Sequence, residues 1–207
     1  GIFGYVSKRP TRDGGPLRLQ QALVQLGHRG PDGSGLALLR GPTLEVGFAH
    51  TRLAILDLSP QGKQPMTSAD GGLTLTYNGE IYNFVELMPE LQALGHTFRT
   101  RCDTEVIVHA WEQWGEQCVE RFRGMFAFAL WDRTQQTLFL ARDRLGVKPL
   151  FYAQLDDGTF LWGSELKSLL AHGGLRRELD PLAVEDYFAL GYVADAKKVD
   201  TKKYPKF

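Results

Sequence analysis

Gly124-Met125-Phe126-Ala127-Phe128-Ala129-Leu130-Trp131-Asp132 is apolar on both of its alternating sets. Met125, Ala127, Ala129 and Trp131 form one set, and Phe126, Phe128 and Leu130 form the other. Successive side chains of a strand point to opposite faces, so a strand apolar on both is buried on both. Each side of the sheet that holds it must therefore be covered. Residues 138–142 follow across Arg133-Thr134-Gln135-Gln136 as the second arm of a hairpin. Residues 150–154 and 159–162 form another hairpin across Asp157-Gly158. Upstream, 36–39 and 45–50 read as strands joined at Gly41-Pro42, and 73–76 as an apolar strand.

The covering layers are legible too. Leu17, Leu19, Leu23 and Leu26, with Ala22 between them, predict an amphipathic helix over 17–26 that stops at Gly27. The breaker-rich stretch 28–35 then reads as a loop, and 59–72 as irregular chain. Residues 84–94 predict a helix ended by Gly95, and 104–114 a second helix with Asp103 at its N-cap. Residues 165–171 and 181–190 supply closing helices. Hairpins with helices on both outer faces give a layered α/β protein, and periodicity does not count the layers.

Size and charge narrow the function classes. A chain of 207 residues is long enough for one domain with a well-buried core. Lysines and arginines equal the acids at 24 each, so nothing pulls the chain toward nucleic acid or an anionic membrane. No apolar run approaches the ~18–20 residues of a bilayer span. Residues 1–10 lack the apolar segment of a secretory signal. Cys102 and Cys118 make neither a disulfide framework nor a metal-ligand spacing, and both read as inert thiols in a reducing cytoplasm.

The densest chemistry lies in Tyr77-Asn78-Gly79-Glu80-Ile81-Tyr82-Asn83, with Arg52 upstream and Asp103 downstream. An apolar strand runs into a carboxamide, a glycine and a carboxylate, an order suited to holding a small zwitterion while one of its carbonyls is attacked. Asn78 can aim a side-chain N–H at a developing oxyanion, and Gly79 can bring its backbone N–H close because it lacks a Cβ. Glu80 can accept from an ammonium group, and Arg52 can donate two parallel hydrogen bonds to a carboxylate. The plain alternatives are a hairpin turn at Asn78-Gly79 and a surface arginine at a strand end.

The opening GIFGYV, HRGPDGSG (28–35), HTRLAILDLSPQGKQPM (50–66), YNGEIYN, DTE (103–105), GMFAFALWD and ARDRLGVKPLFY (141–152) occur together and in order. This combination resembles the class II glutamine amidotransferase domain, and more closely the N-terminal glutaminase domain of glutamine-dependent asparagine synthetases. The resemblance spans residues 1–193, and 194–207 read as a linker or truncated edge toward an ATP-dependent synthetase domain. It implies an α+β fold, the four-layer αββα sandwich of the N-terminal nucleophile hydrolases. It implies glutamine bound by Arg52, the stretch Leu53, Ala54, Ile55 and Leu56, and Asn78, Gly79, Glu80 and Asp103. The oxyanion hole falls to Asn78 and Gly79, and the substrate ammonium to Glu80 with Asp103. Two acids and one guanidinium would reject analogues lacking either head group, because a buried charge would be left unpaired.

His28, Arg29 and Asp32 are expected to give structural support, and Arg142, Asp143, Arg144 and Lys148 to stabilise a turn or face a partner domain. The family begins with Cys before Gly-Ile-x-Gly, so the resemblance puts the nucleophilic cysteine immediately before Gly1, with its own α-amine as base. An α-amine suits that task with its ordinary pKa of about 7.7–8. No metal or cofactor is expected in this domain, whereas ATP and magnesium are expected for the synthetase domain in cis. A homodimer stays open. So do a non-catalytic glutamine-binding or scaffold module and an amidotransferase with a different acceptor.

Overall fold

Two antiparallel sheets lie face to face in the computed structural model, which describes residues 1–8, 14–54, 62–177 and 180–192. In chain order the strands are β1 (Ile2–Ser7), β2 (Gly33–Arg40), β3 (Glu45–Arg52), β4 (Met66–Thr67), β5 (Leu73–Ile81), β6 (Gly124–Asp132), β7 (Thr137–Arg142), β8 (Phe151–Gln154) and β9 (Phe160–Gly163). One sheet has the order β2-β3-β1-β9-β8 and the other β4-β5-β6-β7. The helices are α1 (Gly15–Leu26), α2 (Phe84–Ala93), α3 (Asp103–Trp114), α4 (Cys118–Arg121), α5 (Leu166–Leu170) and α6 (Pro181–Leu190).

Strand β6 is buried on both faces, as its composition requires. Ala129 and Trp131 join Ile2, Val6, Phe48 and Trp162 in the core between the sheets. Phe48 and Trp162 meet there edge to face, with ring centroids 5.5 Å apart, worth about 0.5–1.5 kcal/mol beyond area burial. Phe126, Phe128 and Leu130 point the other way, into a core shared with α2 and α3. On the far side, Phe3, Tyr5 and Leu161 pack under Leu19, Ala22 and Leu26 of α1 and Leu169 of α5. The order of layers is helix, sheet, sheet, helix, which is the expected αββα sandwich.

Several local expectations need correction. Strand β2 starts at Gly33, not Leu36, pairing Gly33 with Arg52 and Gly35 with His50. Glycine hides this strand in the sequence, yet the close approach demands it: a Cβ on Gly35 would lie 2.0 Å from the Gln64 carbonyl oxygen. Strand β5 continues through Asn78-Gly79 to Ile81, and all nine of its residues pair with β6, so the hairpin-turn alternative fails. The N-cap of α3 is Cys102, without a side-chain bond, and Asp103 turns its carboxylate elsewhere. Helix α6 is capped by Asp180, whose Oδ1 accepts from Leu182 N–H at 2.9 Å, but none of its residues is buried, so it closes nothing here. Ile55, Leu56 and 194–207 lie outside the described residues.

Candidate functional site

The start of β1, the ends of β3 and β5, and the first turn of α3 converge on one cavity of about 190 Å³. Arg52, Asn78, Gly79, Glu80 and Asp103 all line it, as do Leu53 and Ala54. Residues far apart in sequence meet because β3 belongs to one sheet and β5 to the other, so the cavity opens where the two sheets abut.

Each wall has its own local cause. Arg52 is the last residue of β3, and the chain beyond it is held by Asp32, whose Oδ2 accepts from Ala54 N–H at 2.9 Å. Asn78 and Glu80 alternate with Gly79 along β5. A Cβ on Gly79 would lie 2.2 Å from Met125 O and 2.6 Å from Phe126 Cα, so no larger residue fits against β6. The Asn78 Nδ2 group is buried and has no hydrogen-bond partner among the described residues. Such an orphan donor costs about 1–3 kcal/mol, which makes it a feature to be explained.

Asp103 is buried at 5% exposure. Its Oδ2 accepts from the Tyr77 hydroxyl at 2.6 Å and from Ile81 N–H at 3.0 Å. Burial raises its pKa, and these two hydrogen bonds oppose that rise. Its own binding to β5 thus fixes where the helix starts relative to the strand.

Four further residues on the wall lie outside the site expected from sequence, which gives Arg29 and Lys148 other roles and His50 and Gln64 none. His50 lies beside the Gly1 nitrogen; burial, then the Gly1 ammonium and Arg52, push its ring down to about 3. Arg29, expected to be structural, also lines the cavity, and its Nη1 donates to Glu165 Oε1 at 3.0 Å. Gln64 Oε1 accepts from Tyr77 N–H at 2.6 Å, which ties the QGKQPM stretch to β5. Lys148 reaches the cavity from the turn after β7, where Asp143 accepts from Val147 N–H at 2.9 Å and from Lys148 N–H at 3.0 Å. His50 and Gln64 sit inside the HTR and QGKQPM motifs, and that adjacency is the signal that could have found them.

At the base of the cavity the Gly1 nitrogen donates to Thr51 O at 2.8 Å. Burial, then the Arg29 guanidinium and Lys148, lower the pKa of its amine to about 5, with Glu165 opposing. The surroundings disfavour positive charge at this point and favour a neutral nitrogen. Arginine, two acids, an orphan amide donor and a charge-averse nitrogen thus face one space the size of a small amphoteric ligand.

A two-sheet sandwich with a polar cavity where its strand ends abut defines the class of fold, and comparison with known proteins gives the family. The chain matches the glutamine amidotransferase domain family over residues 1–203, and it belongs to that family. Asparagine synthetase [glutamine-hydrolyzing] 3 of Bacillus subtilis (strain 168) is 41% identical over 193 residues, covering 92% of this chain and 30% of that protein. Asparagine synthetase [glutamine-hydrolyzing] 1 of the same organism is 36% identical over 204 residues, covering 97% of this chain and 31% of the relative. The chain therefore spans about a third of the length of these relatives. Among solved structures, the glutamine phosphoribosylpyrophosphate amidotransferase of B. subtilis superposes with a TM-score of 0.70 at 22% identity, over 87% of this chain and 46% of that one. That likeness establishes the fold, a sandwich of two facing sheets between helices. Among the described residues no helix is long and apolar enough to cross a membrane.

Proposed function

We propose that this chain is the glutaminase domain of an asparagine-synthetase-like enzyme, converting glutamine and water to glutamate and ammonia. The observation that carries the reading is the orphan Asn78 Nδ2 on a wall shared with Arg52, Glu80 and Asp103. Arg52 binds the α-carboxylate, and Glu80 and Asp103 bind the α-ammonium. Leu53 and Ala54, with Ile55 and Leu56, complete the grip. Asn78 Nδ2 and the Gly79 N–H then stabilise the oxyanion formed as the side-chain carbonyl is attacked, which gives the orphan donor its partner.

The nucleophile is the thiol of a cysteine joined to Gly1. Its own α-amine takes the thiol proton, the sulfur bonds to the carboxamide carbon, and ammonia leaves with that proton to give a thioester. Water then hydrolyses the thioester to glutamate and regenerates the thiol. A neutral amine is the form able to accept a proton, and the cationic Arg29 and Lys148 beside Gly1 would favour that form. Ammonia passes to a synthetase domain in cis, which amidates aspartate to asparagine with ATP and magnesium. Those cofactors belong to that domain, and no residue of this chain is assigned to them. The boundary at residues 193–194, a cytoplasmic setting and an aspartate acceptor belong to the same proposal.

Ammonia release from glutamine by the full-length protein tests it. Arg52→Ala removes charge-assisted bonds worth about 1.5–3 kcal/mol, so kcat/KM should fall by roughly 10- to 150-fold. Asn78→Ala should lower kcat by about 10²–10³-fold. Glutamine binding without turnover, or an Arg52→Ala protein with unchanged kcat/KM, defeats the assignment.

A further inference from the structure

A second cluster lies at the joint between α2 and α3. Gly95, with φ 100°, ends α2, and His96 follows it directly. His109 and Glu112 stand one turn apart on α3. Glu112 Oε2 is 2.8 Å from His109 Nδ1 and 3.3 Å from His96 Nδ1. One donor atom from each of the three residues lies within 4.8 Å of the others. The two rings are 5.0 Å apart, and Phe98 covers His109 edge-on at 4.6 Å.

The outward nitrogens decide what the inward ones can do. His96 Nε2 faces Gln113 Oε1 at 3.1 Å. His109 Nε2 is buried, without a hydrogen-bond partner among the described residues, and faces the carboxylate oxygen Glu105 Oε1 at 3.6 Å. At 2.8 Å an Nδ1–H of His109 can donate to Glu112 Oε2, so a proton on that nitrogen satisfies this pair. A metal ion in its place would take both Nδ1 atoms and the Glu112 oxygen as ligands, with the proton of each ring on Nε2. Two ligands about 2.0–2.1 Å from a tetrahedral ion are separated by ~3.3 Å. The His96 side has that spacing at 3.3 Å, and the His109 side, at 2.8 Å, would open to admit the ion. An outer oxygen behind each ligating imidazole is the usual support of such centres.

We propose that His96, His109 and Glu112 bind a divalent transition-metal ion, with zinc the preferred ion for this nitrogen–oxygen set. The side chains of Glu112 and His96 are 31% and 16% exposed, so the ion has an entry path and a fourth position open to water. Glu105, which faces His109 Nε2, also accepts from Arg99 N–H at 2.9 Å and Thr100 N–H at 2.7 Å. The ion would thus brace the loop that leads into Asp103. Binding depends on these residues alone and is independent of the glutamine assignment.

Zinc titration of the chelator-treated chain at neutral pH, followed by calorimetry and by thermal melting, tests this. The expected result is one ion per chain with micromolar or tighter affinity and a raised melting midpoint. His96→Ala and Glu112→Gln, both at partly exposed positions, should each weaken binding at least tenfold, while His28→Ala should leave it unchanged. Cobalt(II) in place of zinc should give the strong visible absorption of a tetrahedral complex, lost in both variants. No zinc uptake by the parent chain, or equal uptake in the two variants, overturns the proposal and leaves a proton as the shared cation.

Discussion

Tyr77→Phe isolates the hydrogen bond that fixes Asp103, because the ring stays and only the hydroxyl goes. Tyr77 and Asp103 are 3% and 5% exposed, and the bond between them is 2.6 Å long. A bond to an ionised partner contributes about 1.5–3 kcal/mol, against about 0.5–1.5 kcal/mol when both partners are neutral. The loss should therefore depend on whether Asp103 is charged. Burial raises its folded-state pKa, so its contribution to stability is complete below the ordinary value of 3.8 and declines as pH rises through the folded value. Removing the Tyr77 donor removes an interaction that lowers this pKa, which rises further, and the decline extends to higher pH.

Urea unfolding of the parent chain and Tyr77→Phe, followed by tryptophan fluorescence at neutral pH and again near pH 4, gives the difference directly. At neutral pH the variant should lose about 1.5–3 kcal/mol, a drop in melting midpoint of about 2–4 °C per kcal/mol for a domain of this size. Near pH 4 the loss should shrink toward the neutral-pair range. In an Asp103→Asn background the same substitution should cost about 1 kcal/mol or less. A loss of equal size at both pH values, or undiminished in Asp103→Asn, would mean that Tyr77 contributes by packing and not through the carboxylate.

Burial pushes the Glu165 carboxyl up, but hydrogen bonds from Arg29, Lys167 and His28 outweigh it and bring the pKa to about 2. That depressed value contributes stability above the ordinary 4.5, lost as pH falls toward about 2. Glu165→Gln should flatten this acid limb in urea midpoints measured from pH 5 downward, and an unchanged slope would rule the cluster out as its source. Gly79→Ala sets a Cβ 2.2 Å from backbone Met125 O and should cost about 1–3 kcal/mol through displaced pairing of β5 with β6. A thermal midpoint equal to that of the parent chain would show that the strand moves aside freely.

What the sequence reveals of this fold follows the reach of each signal. Doubled apolar alternation in 124–132 needs only neighbouring residues to be recognised, and β6 is indeed buried on both faces. Asn78-Gly79 misleads for the opposite reason, since its local turn preference is overridden by a nine-residue register against β6 that no local window contains. Gly35 conceals the start of β2 because its role is to let the Gln64 backbone pass close, a contact 29 residues away in the chain. Arg52, Asn78, Gly79, Glu80 and Asp103 are nameable from their chemistry and shared motifs. The Tyr77–Asp103 bond, the orphan at Asn78 Nδ2 and the nearness of His50 to Gly1 exist only in the folded chain, with α3 laid on β5, β1 paired with β3 and the sheets stacked.

The same stacking explains why the cavity can hold opposed charges in a fixed arrangement. Gly1 is tied to β3 from both sides, with its nitrogen 2.8 Å from Thr51 O and its carbonyl accepting from Thr51 N–H at 2.9 Å. Ile2 N–H donates to Ser164 Oγ at 3.0 Å, and Ser164 N–H returns a bond to Ile2 O at 2.9 Å. The nitrogen end of β1 is therefore clamped by both of its neighbours in the central position of its sheet, with little freedom to drift. Asn78, Glu80 and Asp103 are referenced to the other sheet through β5. The distance between the two halves of the site is then set by the side chains packed between the sheets, Phe48, Trp131 and Trp162 among them. Close-packed aromatic interiors deform little, so donors and acids on opposite walls keep their spacing without direct contact with one another. A site built this way pre-orients its polar groups through the core, which is what electrostatic stabilisation of a developing oxyanion requires.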